Sequence, residues 1–162
     1  MDQQTLEVNG ERLMAPAYLV ATGAAPHIPA LPGLGDVAFL TSTTAMEQQD
    51  LPASMVVIGG GYVGLEQAQL WAHLGVRVTL VGRFAPHAEP EIADVLRAVF
   101  ADDGIMVVEQ RAVAVSRTAA DTLTVRTNGG LAVSGQRSAA ARGDRPIRRY
   151  CGPGTGRRRC GD

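Results

Sequence analysis

Two periodicities divide this chain: short apolar runs that suit strands, and apolar residues spaced for one face of a helix. From Thr5 the order TLEVNGERLM alternates weakly around Asn9-Gly10, which predicts a hairpin, and the apolar stretch 18–21 predicts a buried strand after it. Pro26, Pro29, Pro32, Gly33 and Gly35 then interrupt any regular element, so a connector between two domains is expected there. Residues 41–48 suit a short helix with a hydroxyl cap, closed by Leu51-Pro52. Residues 55–58 are continuously apolar, as in a parallel strand buried on both faces. A helix follows over 61–74, with Leu65, Ala68, Ala72 and Gly75 on its packed face, and then a second strand over 76–81.

Pro90 opens another helix, 91–101, whose predicted apolar face is Ile92, Val95, Leu96, Val99 and Phe100. Gly104 releases the chain into a third strand, 105–108. Strands at 113–116 and 123–126 around a loop at 118–121 read as an antiparallel excursion. The fold class expected is α/β: a doubly wound, Rossmann-like parallel sheet with an antiparallel excursion. Beyond Ser134 the periodicity disappears into SGQRSAAARGDRPIRRYCGPGTGRRRCGD, for which a disordered C-terminal tail is expected. The division that follows is 1–35, 36–133 and 134–162.

Composition adds an asymmetry that the net charge of -1 conceals. Of the 15 basic residues, all arginine, eight lie after position 134, where Asp144 and Asp162 are the only acids. A nucleic-acid partner is not expected, because the tail lacks interleaved aromatics. Both cysteines, Cys151 and Cys160, lie in the tail at a spacing that matches neither a metal knuckle nor a Cys-x-x-Cys pair, and no metal site is expected. No apolar run approaches the roughly 18 residues of a membrane span, and the N-terminus lacks the pattern of a signal peptide. The expectation is a cytoplasmic chain without a membrane partner.

The chemistry is concentrated where the first parallel strand meets the first long helix, in the run Gly59, Gly60, Gly61, Tyr62, Val63, Gly64. Gly-x-Gly-x-x-Gly between strand and helix is a dinucleotide-binding fingerprint: Gly59 makes the turn, Gly61 admits a pyrophosphate, and Gly64 lets helix and sheet approach. A glycine-rich turn without a ligand is the plainer alternative. The residue about 20 positions past such a fingerprint selects the cofactor, because an acid there binds a ribose 2′-hydroxyl and repels a 2′-phosphate. Gly82 and Arg83 stand there instead, which favours NADPH, with NADH possible if Arg83 is only a solvated strand end. Six positions on, Glu89 stands where a second arginine would help, and His87 is either a partial substitute or an ordinary loop histidine.

With YLVATGAAP near the start, the glycine run, and Glu66 in the helix after it, the chain resembles the pyridine nucleotide-disulfide oxidoreductase family over about residues 5 to 133. Within it, LTSTTAMEQQDLPASMVVIGGGYVGLEQAQLWAHLGVRVTLVGR is most similar to mercuric reductases. The resemblance implies a homodimeric flavoprotein that passes electrons from NADPH through FAD and a thiol pair to Hg(II). Dihydrolipoamide dehydrogenase-like and glutathione reductase-like activities are the nearest alternatives. It also implies that residues 1–35 end an FAD domain, that Thr22 and Gly23 pass near the flavin, and that Tyr62 covers it. Glu66 would sit near the nicotinamide amide, unless it serves only the helix dipole. The family's N-terminal FAD fingerprint with its cysteine pair, its second Ala-Thr-Gly strand and its dimerisation domain are not found in this sequence. The expectation is therefore a fragment that retains the nicotinamide cofactor's site, holds FAD poorly and supplies no catalytic residue of its own; the alternative is an inactive remnant or a nucleotide-binding module.

Overall fold

The computed structural model describes residues 5–19, 21, 25–119 and 122–140. At the start, β1 (Thr5–Val8) and β2 (Glu11–Met14) pair antiparallel around Asn9 (φ 51°) and Gly10 (φ 85°). Positive φ at both turn residues is the geometry that an Asn-Gly hairpin requires. The buried strand expected at 18–21 is not formed: Tyr18 and Leu19 are not in a strand, Leu19 is 89% exposed, and Val20 lies outside the described residues. The Tyr18 hydroxyl instead donates to the Leu13 carbonyl (2.7 Å) and accepts from the Ala15 N–H (2.9 Å), closing a turn onto the hairpin.

The connector holds a single 3-10 turn, Leu34–Asp36, and enters the sheet at β3 (Phe39–Leu40). Next, α1 (Ser42–Met46) is closed by a reciprocal cap in which Thr41 and Thr44 each bond the other's backbone N–H. The βαβαβ run comprises β4 (Ser54–Ile58), α2 (Tyr62–His73), β5 (Arg77–Val81), α3 (Pro90–Asp102) and β6 (Met106–Val108). The excursion β7 (Ala112–Ala119), β8 (Thr122–Thr127) and β9 (Ala132–Gly135) is an antiparallel meander. It returns the chain as β10 (Arg137–Ala140) into a parallel sheet of order β3-β10-β4-β5-β6. No helix among the described residues is long and apolar enough to cross a membrane.

The two cores follow from the two-residue period of the strands. Met55 and Val57 face the helices with Leu65, Ala68, Trp71, Leu80 and Phe100, whereas Val56 and Ile58 face the meander with Val81, Val115 and Val125. Helices thus cover one face of the parallel sheet and the antiparallel excursion covers the other.

Two further expectations are corrected. Residues 134–140, assigned to the tail, end β9 and, past a bend at Gln136, form β10, which fills the place between β3 and β4 with Ser138 and Ala139 fully buried. Its small residues carry no apolar signal, but the open edge of β4 needs hydrogen-bond partners. The start is pinned by Gln136, whose side chain accepts from the Ala53 N–H and whose N–H bonds Ser54 Oγ. The rest of the expected tail, 141–162, lies outside the described residues. On α3, the core takes Ala93, Leu96 and Phe100, while Ile92 and Val95 are more than half exposed.

Phe100→Ala should therefore destabilise the fold by about 3–5 kcal/mol in urea denaturation, and Val95→Ser by no more than about 0.5 kcal/mol. The C-terminal turns of α2 and α3 are joined at Asp103. Gln69 donates to this carboxylate (2.9 Å) and His73 lies 3.1 Å from it. The Gln69 bond, then the His73 bond, hold its pKa below the ordinary 3.8. A lowered carboxyl pKa contributes stability that is present above 3.8 and is lost as pH falls through the lowered value. Asp103→Asn should flatten that part of the acid denaturation curve.

Candidate dinucleotide site

Beyond Ile58 the backbone leaves β4 at Gly59, whose φ of 113° only glycine adopts readily. The Gly59 N–H donates to the Val81 carbonyl (2.8 Å), and the Gly60 carbonyl accepts from the Ala85 N–H (2.9 Å). These bonds press the loop against the end of β5. A Cβ on Gly60 would run into the Arg83 carbonyl oxygen and stand 3.1 Å from Phe84 Cα. One on Gly82 (φ 148°) would stand 3.1 Å from the Gly60 nitrogen. The fingerprint and the glycine that precedes Arg83 are two sides of one backbone contact.

Gly61 is the N-cap of α2, and no side chain among the described residues caps it. The first helical bond runs from the Leu65 N–H to the Gly61 carbonyl (3.0 Å), so the N–H groups of Tyr62, Val63 and Gly64 have no acceptor within the helix. Their positive end of the helix dipole suits an anion.

A cleft of about 950 Å³ opens along this edge of the sheet. Its lining includes Gly59, Gly60, Gly61, Gly82, Arg83 and His87, together with Glu109, Arg111 and the connector segment 29–32. Gly64 is buried beneath it, and Val63 packs on the helix-side core. Tyr62 is half exposed beside the cleft, its hydroxyl donating to the His87 carbonyl (3.2 Å) and its ring 6.4 Å from the His87 imidazole. Glu66 is exposed one turn into α2, away from the cleft lining, and Glu89 is exposed at the N-cap of α3. Thr22 and Gly23 lie outside the described residues. Among the described residues no group of three or more His, Cys, Asp or Glu could hold a metal ion.

Sequence reasoning passed over Glu109, Arg111 and the connector's part in the cleft wall. The first two follow the third parallel strand, and residues just past the carboxyl ends of such strands are where a ligand is met, which is the signal that could have found them. Arg83 is exposed and donates to the Pro86 carbonyl (3.1 Å). Glu109 is neutralised by Arg97, which reaches it with Nη2 (2.7 Å) and Nε (3.1 Å) while lying 5.0 Å above the Phe84 ring.

The sequence and the fold both recur in known proteins. The sequence model of the pyridine nucleotide-disulphide oxidoreductases matches residues 1–150. The chain belongs to this family. It is 55% identical over 92 residues to the mercuric reductase of Streptomyces lividans, an alignment covering 56% of this chain and 19% of that protein. Among solved structures, LpdA of Mycobacterium tuberculosis superimposes with a TM-score of 0.68 at 31% identity, over 82% of this chain and 30% of that one. The HOCl-induced flavoprotein disulfide reductase RclA of Escherichia coli gives 0.72 at 24% identity, over 86% and 33%, which shows the shared fold. The chain spans about a fifth of the length of the curated relatives that it matches.

The backbone contact yields a direct test. Gly60→Ala should cost about 1–3 kcal/mol in denaturant unfolding, since the methyl group meets main chain on the far side. Gly35→Ala, with nothing within 4 Å of the added carbon, should stay within about 0.5 kcal/mol.

Proposed function

We propose that this chain is the nicotinamide-dinucleotide-binding part of an NADPH-dependent, FAD-linked disulfide oxidoreductase of the mercuric reductase type. The observation that carries the proposal is the Gly59–Gly61 loop, held against β5 and opening into the uncapped N-terminus of α2. A diphosphate seated there would accept backbone N–H bonds and feel the helix dipole. The adenosine ribose would then reach the end of β5, where Arg83 offers a guanidinium in place of an acid. When bound, the dinucleotide supplies a hydride. This chain's share is to hold the diphosphate, to choose between cofactors with Arg83, and to place Tyr62 at the mouth of the cleft.

The 55% identity to one mercuric reductase over 92 residues supports Hg(II) as the final acceptor in the longer protein, and mercury resistance in the cytoplasm is the role proposed with it. FAD, its thiols and the homodimer are assigned to that longer protein, and no step on them is derived from this chain.

Titration of the purified chain with NADPH and with NADH tests the reading. Tighter binding of NADPH is expected, and Arg83→Gln should cut that preference about tenfold by removing a charge-assisted contact. Equal affinities in the unsubstituted chain would refute the choice of NADPH.

A further inference from the structure

We infer that Arg111 is a second cation at the adenosine end of the cleft, reading the 2′-phosphate of NADPH together with Arg83. This inference rests on the dinucleotide reading above. The two strands that deliver these arginines are parallel neighbours, and the Gly82 N–H donates to the Val108 carbonyl (3.0 Å) where they end. Arg83 is the next residue after Gly82, Arg111 follows Val108 by three, and both line the same cleft.

The Arg111 backbone is held on both sides by one residue. Its N–H donates to Asn128 Oδ1 (2.9 Å), and its carbonyl accepts from the Asn128 N–H (2.9 Å). The turn carrying Asn128 is fixed in turn, because Thr127 bonds Leu131 through its backbone N–H and Gln110 through its hydroxyl. The arginine stem therefore starts from a fixed point, which lowers the entropy lost when its head meets a ligand.

Charge points the same way. Glu109, the one acid in the cleft lining, is already paired with Arg97. Among the described residues no carboxylate pairs with Arg111. Glu89, six residues past Arg83 where a second cation would help, stands at the N-cap of α3 outside the lining. The segment after β6 thus supplies the cation that the loop after β5 lacks. A 2′-phosphate between Arg83 and Arg111 would meet two guanidinium groups, whereas a 2′-hydroxyl would gain little from either charge.

The experiment uses the whole 162-residue chain and follows NADPH and NADH binding by fluorescence for Arg111→Gln and Arg111→Lys, with thermal melting to confirm folding. Expected are about a tenfold loss for NADPH and less than about twofold for NADH with Arg111→Gln, part of the NADPH loss being recovered by Arg111→Lys. Equal losses for both dinucleotides, or no loss for either, would overturn the inference. If Arg83→Gln erases the preference while Arg111→Gln leaves it, this inference falls and the NADPH reading stands. If the unsubstituted chain binds both equally, or binds neither saturably, the underlying reading falls first.

Discussion

The site depends on one close approach of backbone to backbone, the contact between Gly59-Gly60 and the segment from Gly82 to Phe84. No side chain fits between them: a β-carbon on Gly60 meets the Arg83 main chain, and one on Gly82 meets the Gly60 nitrogen. Because the loop is fixed to β5 rather than free above it, the start of α2 and the position of Arg83 are set by the same geometry. A ligand held at the helix end would thereby be presented to the strand end that follows.

The contact is braced from α3. Phe84 stacks edge-on against Phe100, with ring centroids 5.2 Å apart, and carries Arg97 on its face. Arg97 also fixes Glu109 beyond β6. Residues at the ends of two parallel strands are thus held by a single helix, two of whose core residues, Ala93 and Phe100, are buried. Next to Phe84, Ala85 adopts φ 42°, which an L-residue takes only at a cost of about 1–2 kcal/mol. Its N–H bond to the Gly60 carbonyl and its buried methyl group hold it there.

How far the sequence revealed this varies with the kind of signal. The βαβαβ core was legible because continuous apolar strands, glycine stops and helix-spaced stripes agree with one another. The Asn-Gly hairpin and the Thr41 cap were legible because each is local chemistry. β10 was not, since Arg-Ser-Ala-Ala becomes a strand only through the open edge of β4. The outer positions of α3 were misjudged because the five apolar residues Ile92, Val95, Leu96, Val99 and Phe100 share a helical stripe of which only Leu96 and Phe100 reach the core. Of the cleft lining, the loop glycines Gly59, Gly60 and Gly61 and Arg83 could be picked out from spacing. Arg111 could not, because its place in the cleft wall comes from a neighbouring strand end and from Asn128 on a turn 17 residues later.

The same separation explains why family membership settles less than the cofactor. In the proposed reading the glycine loop and helix end would meet only the diphosphate, which NADH and NADPH share, so a sequence can keep the loop and still differ in cofactor. Discrimination has to come from side chains at the strand ends, which the backbone contact leaves free to vary. In this chain those positions carry Arg83, Arg111 and a Glu109 already neutralised by Arg97. In the proposed reading that edge, whose one acid is paired with Arg97, would suit an additional phosphate without any change in the fold that would hold the shared part of the ligand.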